Sequence, residues 1–125
     1  KFLTVRVINA KSLSSAKNIA FSIANSPLIK TAIAGEDPNW GRIVMGIGKS
    51  GEVVDLKKLK IKLGEFIVAE NGRISDSYNE EKLREYMKWD SITIEINLKL
   101  GNDAFECYTC DFTHDYIDIN ADYRN

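Results

Sequence analysis

The apolar residues of the chain change their spacing several times. In FLTVRVI, near the start, Leu3, Val5 and Val7 alternate with polar positions, which predicts a half-buried strand. The next segment changes to helical spacing, and the apolar residues that share one face of the predicted helix are Ala16, Ile19, Ala20, Ile23 and Ala24. Ser12 or Ser14 can cap the start of this helix, since a serine hydroxyl accepts a hydrogen bond from a free backbone N–H there.

A second helix is predicted directly after the first. Ser26 is suited to the N-cap and Pro27 to the first helical position, where its missing N–H costs nothing. Gly35 is placed to end this helix. The segment RIVMGIG, residues 42–48, is almost wholly apolar, so we predict a central strand covered on both faces.

The remaining segments predict mostly strands. LKIKL alternates and is expected to turn at Gly64-Glu65 into FIVA, and Asn71-Gly72 marks another turn. NEEKLREYMKW reads as a short helix that buries Leu83, Tyr86 and Met87. SITIEINLKL is the most regular strand, and AFECYTCDF follows it after a turn. The apolar residues expected on one face of SITIEINLKL are Ile92, Ile94, Ile96 and Leu98.

These elements predict an α+β fold, with a mixed or antiparallel sheet and two or three helices packed on it, in one compact unit over residues 1–125. Too few helices alternate with strands for a doubly wound parallel sheet. The chain starts inside a predicted strand without an initiator methionine, which indicates a piece of a longer polypeptide.

The charge pattern disfavours two classes of protein. The chain has 17 Lys and Arg against 18 Asp and Glu, a net charge of −1, which argues against nucleic-acid binding because such proteins carry a basic surplus. No apolar run approaches the roughly 20 residues that a membrane-spanning helix needs. The absence of a secretory pattern, together with two cysteines expected to be free, favours a cytoplasmic setting.

Three residues raise the question of metal or acid–base chemistry. Cys107 and Cys110 form a C-x-x-C pair, but residues three apart in a strand point to opposite faces. We therefore expect neither a disulfide nor a metal site and interpret the two cysteines as small, mostly buried side chains. His114 could act as a general base because its ordinary pKa is near 6.5. It has no partner at a recognisable triad spacing, so this role is disfavoured.

The segment KTAIAGEDPNWGRI concentrates unusual residues between two predicted elements. Glu36 and Asp37 are either a solvated loop pair or a carboxylate site, stiffened by Pro38. Trp40 fits a core position better than a ligand contact. Arg42 is either a partner for one of the two acids or a donor to a ligand carboxylate. The functional interpretation is a pocket in which a carboxylate meets the ammonium group of an amino acid.

The end of the chain, DYIDINADYRN, is the second unusual segment. Terminal residues are usually frayed, but this one contains apolar and aromatic side chains that could hold it against the domain. They are Tyr116, Ile117, Ile119 and Tyr123. Residues 115–125 are therefore expected to dock and to bring Asn120 and the last residue towards a pocket.

Two long motifs, ANSPLIKTAIAGEDPNWGRIVMGIGKSG and CDFTHDYIDINADYRN, closely resemble the glutamate N-acetyltransferase or ornithine acetyltransferase family, the ArgJ-type enzymes of arginine biosynthesis. The resemblance extends over essentially the whole chain. It implies that residues 1–125 are the C-terminal portion of a β chain, made by self-cleavage of a longer precursor before a threonine that becomes the nucleophile. That threonine and the residues of the oxyanion hole lie upstream. An α chain and the rest of the β chain are the implied partners, commonly in an α2β2 assembly.

The resemblance also implies the reaction and the site residues. Acetyl passes from N2-acetylornithine to the threonine and then to glutamate, and some members also use acetyl-CoA, with no metal or other cofactor. Glu36, expected to be buried, Asn120 and the terminal Asn125 match substrate-binding positions. The last residue is typically Thr or Ser in the family, and an asparagine amide can still form hydrogen bonds. Trp40 and Arg42 match the motif as structural support.

Two alternatives stay open at this stage. One is a related self-cleaving amidase or aminopeptidase, in which water accepts the acyl group. The other is a non-catalytic α+β binding module, which is all that the pattern of elements alone supports. An upstream chain in the native protein would separate the enzymes from the module.

Overall fold

The structure is a computed structural model that describes residues 1–113. Its elements in chain order are β1 (Phe2–Ala10), α1 (Leu13–Ala24), α2 (Pro27–Ala34), α3 (Trp40–Lys49), β2 (Lys60–Leu63), β3 (Phe66–Glu70), β4 (Arg73–Ile74), α4 (Glu80–Met87), β5 (Ser91–Asn97) and β6 (Asp103–Cys110). The predicted α+β class is confirmed. The described part contains four helices, one more than the largest number expected.

The six strands form one mixed sheet in the order β4-β3-β2-β5-β1-β6. β1 runs parallel to β5, and the other neighbouring strands are antiparallel. In this register Val5 of β1 stands opposite Ile94 of β5 on one side and Cys107 of β6 on the other. The prediction of a mixed sheet is therefore confirmed.

The core lies between one face of the sheet and the helices. Leu3, Val5 and Val7 are fully buried, as their alternation predicts, and so is Ile94 on the neighbouring strand β5. α1 packs on β1 and β6 and buries the face predicted for it, including Ile19. The apolar side chains of the strands and those of the helices thus form a single buried layer, which holds the helices against the sheet.

The opposite face of the sheet is polar and carries a row of charges. The Arg6 guanidinium lies 2.7 Å from the Glu106 carboxylate and 3.5 Å from that of Glu95 on the other neighbouring strand. Hydrogen bonds from the Tyr108 hydroxyl and then from Arg6 lower the pKa of the Glu106 carboxyl. Cross-strand pairs of opposite charge support the register of β1 between β5 and β6.

The segment RIVMGIG was predicted to be a strand, and this prediction is wrong. It belongs to α3, whose N-terminus is capped by the Asn39 side-chain oxygen accepting from the Arg42 N–H at 3.1 Å. Ile43 and Ile47, four residues apart, are buried on one helical face, while Met45 is exposed. Gly46 allows close packing, since an added Cβ would lie 3.0 Å from the Ile29 side chain of α2.

The predicted helix boundaries are largely confirmed. Ser12 and Ser26 cap α1 and α2, each accepting from a backbone N–H three residues on, and Pro27 opens α2. Gly35 ends α2, but its own φ is −82°. The left-handed conformation expected near a helix end falls instead on the next residue, Glu36. None of the helices within residues 1–113 is long and apolar enough to cross a membrane.

Candidate functional site

The α2–α3 corner, residues 35–39, presents Glu36 at the protein surface. Glu36 has a φ of +58°, a conformation that costs an L-residue with a Cβ about 1–2 kcal/mol. Its N–H donates to the Ile33 carbonyl at 3.1 Å, and the Asp37 N–H donates to the Ala32 carbonyl at 2.9 Å. Both bonds tie the corner to the last turn of α2, so the unusual backbone of Glu36 is held in place.

The second half of the corner leads directly into α3. The Asn39 N–H donates to the Asp37 carbonyl at 2.8 Å, and the Trp40 N–H donates to the Pro38 carbonyl at 2.9 Å. The Asn39 amide also donates to the Asp37 carboxylate at 3.3 Å, while its oxygen caps α3. The Asp37 carboxylate thus has a hydrogen-bond partner next to it, whereas the Glu36 carboxylate has none among residues 1–113.

Arg42 connects the two helices on either side of the corner. Its guanidinium donates to the Leu28 carbonyl at 2.7 Å and to the Thr31 hydroxyl at 3.5 Å. Within residues 1–113 it pairs with neither Glu36 nor Asp37, so the interpretation of Arg42 as their partner is wrong. Arg42 instead holds the first turn of α3 against the start of α2.

Trp40 is half-buried at the edge of the core. It lines a small apolar cavity of about 90 Å³ together with Val44, Leu56 and Leu59. This position agrees with the interpretation of Trp40 as a core residue and leaves its indole away from the Glu36 carboxylate's cavity. Its supporting role in the family motif stays a prediction.

Glu36 lines a second, larger cavity of about 710 Å³ at the surface. Gly35 also contributes to it, and the other lining residues come from α4 and its C-cap: Glu80, Glu81, Arg84, Glu85 and Lys88. Glu80 pairs with Arg84 at 3.0 Å and Glu85 with Lys88 at 3.1 Å. The cavity therefore carries an excess of carboxylates, and within residues 1–113 the Glu36 carboxylate forms no ion pair.

The expectation that Glu36 is buried is wrong for the described residues, because Glu36 is exposed. The physical reason is its place at the corner between two helices, where α4 lines only one side of the cavity. An exposed carboxylate beside other carboxylates attracts cations from solution. The arrangement suits an ammonium group, which is the functional interpretation of this segment.

Comparison with known proteins now identifies the family. The model of the ArgJ family matches residues 1–125, the whole chain. This chain belongs to the ArgJ family. It is 52% identical over its full length to the arginine biosynthesis bifunctional protein ArgJ of Ruegeria pomeroyi and 48% identical to that of Brucella melitensis. It spans 31% and 30% of those two relatives.

A solved structure confirms the fold within the ArgJ family. The crystal structure of the arginine biosynthesis bifunctional protein ArgJ from Bacillus halodurans matches with a TM-score of 0.92 and 36% sequence identity. The match covers 98% of this chain and 58% of that chain. The mixed sheet with its helices is thus the architecture of part of an ArgJ protein.

The two cysteines lie on opposite faces of β6, as their spacing predicts. Cys107 is buried, and burial raises the pKa of its thiol, whereas Cys110 is exposed. The expectation that both side chains are mostly buried is therefore wrong for Cys110. Both thiols are free, and residues 1–113 contain no group of three or more metal-ligand side chains.

Several predicted site residues lie outside the described residues. Asn120, Asn125 and the docking of residues 115–125 fall there, and each stays a prediction. His114, for which a general-base role is disfavoured, lies outside the described residues as well. The described chain ends close to α2, where the Phe112 N–H donates to the Lys30 carbonyl at 3.2 Å.

Two features of the site were missed in the sequence. The pattern predicts α4, but nothing in it indicates that the acidic residues of α4 line the cavity of Glu36, because that contact joins positions more than 40 residues apart. The burial of Lys30 was missed as well. Its signal was its place among the apolar residues of α2, between Ile29 and Ile33, which are also buried.

Proposed function

We propose that this chain is part of an acetyltransferase of arginine biosynthesis that moves acetyl from N2-acetylornithine to glutamate through an acetyl-threonine intermediate. The observation that carries the proposal is the match to the ArgJ family over the whole chain, with Glu36 exposed on a carboxylate-rich cavity. The nucleophilic threonine belongs to the part of the protein upstream of this chain. The partners are an α chain from the same precursor and the rest of the β chain, in a cytoplasmic α2β2 assembly.

The reaction divides the work between the two parts of the protein. The threonine hydroxyl attacks the acetyl carbonyl, and its proton passes to the α-amino group of the same threonine. The bond between the acetyl carbon and the ornithine nitrogen then breaks, and this nitrogen takes up the proton and leaves as an amine. Glutamate then attacks the acetyl-threonine through its own amino group and regenerates the hydroxyl. Backbone and side-chain donors from upstream stabilise the oxyanion of both steps.

The role of this chain is to bind and orient the two amino acids. The Glu36 carboxylate accepts hydrogen bonds from a substrate ammonium group, and correct placement of the reacting amine contributes strongly to acyl transfer. Asn120 and Asn125 are proposed as further hydrogen-bonding groups for the substrate. Acetyl-CoA is proposed as a second acetyl donor, consistent with the word bifunctional in the names of the relatives.

The test is Glu36→Gln in the complete protein, which removes the charge and keeps the shape. We expect self-cleavage to continue, because the precursor contains no substrate ammonium group. Acetyl transfer should fall about tenfold or more in kcat/KM, the equivalent of one charge-assisted hydrogen bond. The matched control is Asp37→Asn, since the Asp37 carboxylate is bound by its neighbour Asn39.

Gel electrophoresis reports cleavage, and a steady-state assay with N2-acetylornithine and glutamate reports transfer. The control should retain most of the activity. Near-normal constants for both substrates in Glu36→Gln would remove Glu36 from the site, and no transfer by the unaltered protein would overturn the proposed function.

A further inference from the structure

A third cavity lies where the turn between β2 and β3 meets the C-terminal end of α4. Its volume is about 540 Å³, which lies within the range of small-molecule sites. Three aromatic residues, Phe66, Tyr86 and Trp89, contribute to its lining, and among residues 1–113 Glu65 carries the only charge there. The cavity therefore combines aromatic rings with one carboxylate.

The three rings form a partly fixed group. Tyr86 lies in the middle, with ring centres 5.0 Å from Trp89 and 5.9 Å from Phe66 and with tilts of 58° and 56°. The Tyr86 hydroxyl accepts a hydrogen bond from the Thr93 N–H at 2.8 Å, which fixes this buried ring. Trp89, by contrast, is 61% exposed, so its indole is available to a ligand.

The charges around this cavity favour a cation. The faces of aromatic rings carry partial negative charge and attract cations. Within residues 1–113 the Glu65 carboxylate forms no ion pair. The Lys1 ammonium group is close but donates to the Trp89 carbonyl at 2.9 Å, and the cation–ring contacts of the described part lie elsewhere. Neither the rings nor the carboxylate is thus neutralised there.

We propose that this cavity binds a small molecule through a guanidinium group. A guanidinium is planar and weakly hydrated, so it can stack on the Trp89 indole while its N–H groups donate to the Glu65 carboxylate. An ammonium group is more strongly hydrated and does not stack, so it fits this pair of partners less well. The cavity shares no lining residue with that of Glu36, and the proposal does not rest on the proposed function.

The chain offers a matched control on the polar face of the sheet. Phe2 and Tyr108 stack with ring centres 5.6 Å apart and are 51% and 59% exposed. The carboxylate beside them, that of Glu106, is already bound by the Arg6 guanidinium at 2.7 Å. This site has the same exposed rings but no free carboxylate, so it should not bind a further cation.

The experiment is calorimetric titration of the complete protein with three probes at millimolar concentrations. They are N-propylguanidinium, propylammonium, and N-propylurea, which has the shape of the first but no charge. The variants are Trp89→Leu, Trp89→Phe, Glu65→Gln, and the controls Tyr108→Leu and Glu36→Gln. Thermal unfolding checks that each variant is folded.

N-propylguanidinium should bind more tightly than the other two probes. Trp89→Leu should weaken its binding about fivefold or more, whereas Trp89→Phe, which keeps a ring, should retain most of it. Glu65→Gln should weaken it about threefold, because the carboxylate is exposed to water. Tyr108→Leu and Glu36→Gln should leave the affinity for this probe unchanged.

Three results would overturn the proposal. Equal binding of N-propylurea would mean that the cavity is only an apolar surface. Binding that is lost in Glu36→Gln but retained in Trp89→Leu would place the cation in the other cavity. The absence of saturable binding, with lower melting temperatures for both Trp89→Leu and Glu65→Gln or with none, would mean that the cavity is no site for a free ligand in the complete protein.

Discussion

Replacing Glu36 by glycine should separate stability from function at the α2–α3 corner. Glu36 has a φ of +58°, which costs an L-residue about 1–2 kcal/mol but glycine almost nothing. Glycine in turn loses about 0.5–1 kcal/mol of conformational entropy more than other residues on folding. The difference leaves a net gain of about 0.5–1 kcal/mol in the free energy of unfolding for Glu36→Gly.

The assay is urea-induced unfolding of the complete protein, compared with acetyl transfer by the same preparations. Glu36→Gln is the reference, since it removes the charge but keeps the backbone cost. Asp37→Gly is the matched control, because Asp37 is exposed like Glu36 but does not have a positive φ, so that glycine there should lower stability. Both Glu36 variants should lose activity.

A Glu36→Gly protein that is less stable than Glu36→Gln would refute the reasoning. It would mean that the corner does not hold Glu36 in the left-handed region in solution. A more stable but inactive Glu36→Gly would show that the backbone cost is accepted in order to present the carboxylate, as is common where a residue is held in an unfavourable conformation for binding.

Three further predictions concern the surroundings of the site. Gly64→Ala should cost about 2 kcal/mol or more in urea unfolding, because φ is +59° and the new Cβ would lie 2.6 Å from the buried Tyr86 ring; a loss below about 1 kcal/mol would contradict this. Cys107→Ser with Cys110→Ser should leave transfer largely intact in a steady-state assay and cost about 1 kcal/mol at the buried position; lost activity that zinc restores would argue against it. Arg42→Met removes the hydrogen bond to the first turn of α2 and should raise KM more than it lowers kcat, whereas Arg42→Lys should recover part of the loss. If both variants change KM and kcat equally, the expected recovery is contradicted and the guanidinium geometry is essential.

The strands β1 and β5 could be predicted because the alternation of apolar and polar residues in them is unambiguous. In β1 and β5 three successive alternate positions are apolar, and Leu3, Val5, Ile92 and Ile94 are among those residues and are fully buried as expected. A helix cannot place such residues on one side, so only a strand fits. The polar residues between them then form the opposite face of the sheet.

α3 could not be assigned in the same way. A short apolar run such as RIVMGIG is compatible with a buried strand and with a buried helix, and its glycines favour neither. The Asn39 cap and the burial of Ile43 and Ile47 decide for the helix. Asn39 was visible in the sequence as a possible helix cap. Whether the following residues form a helix, however, depends on their packing against α1 and α2, which links distant positions of the chain.

The exposure of Glu36 bears on where the site is completed. A single carboxylate in contact with water binds an ammonium group weakly, because the interaction replaces hydration of similar strength. The acidic residues of α4 raise the local negative potential but leave the cavity open. A selective amino-acid site needs the substrate to be removed from water, so the proposed role of Glu36 requires that residues outside 1–113 complete its surroundings. This chain spans only 31% of its Ruegeria pomeroyi relative, and the rest of such a protein is large enough to supply them. The affinity of Glu36 for an ammonium group should therefore be much weaker in the 125-residue chain than in the complete protein.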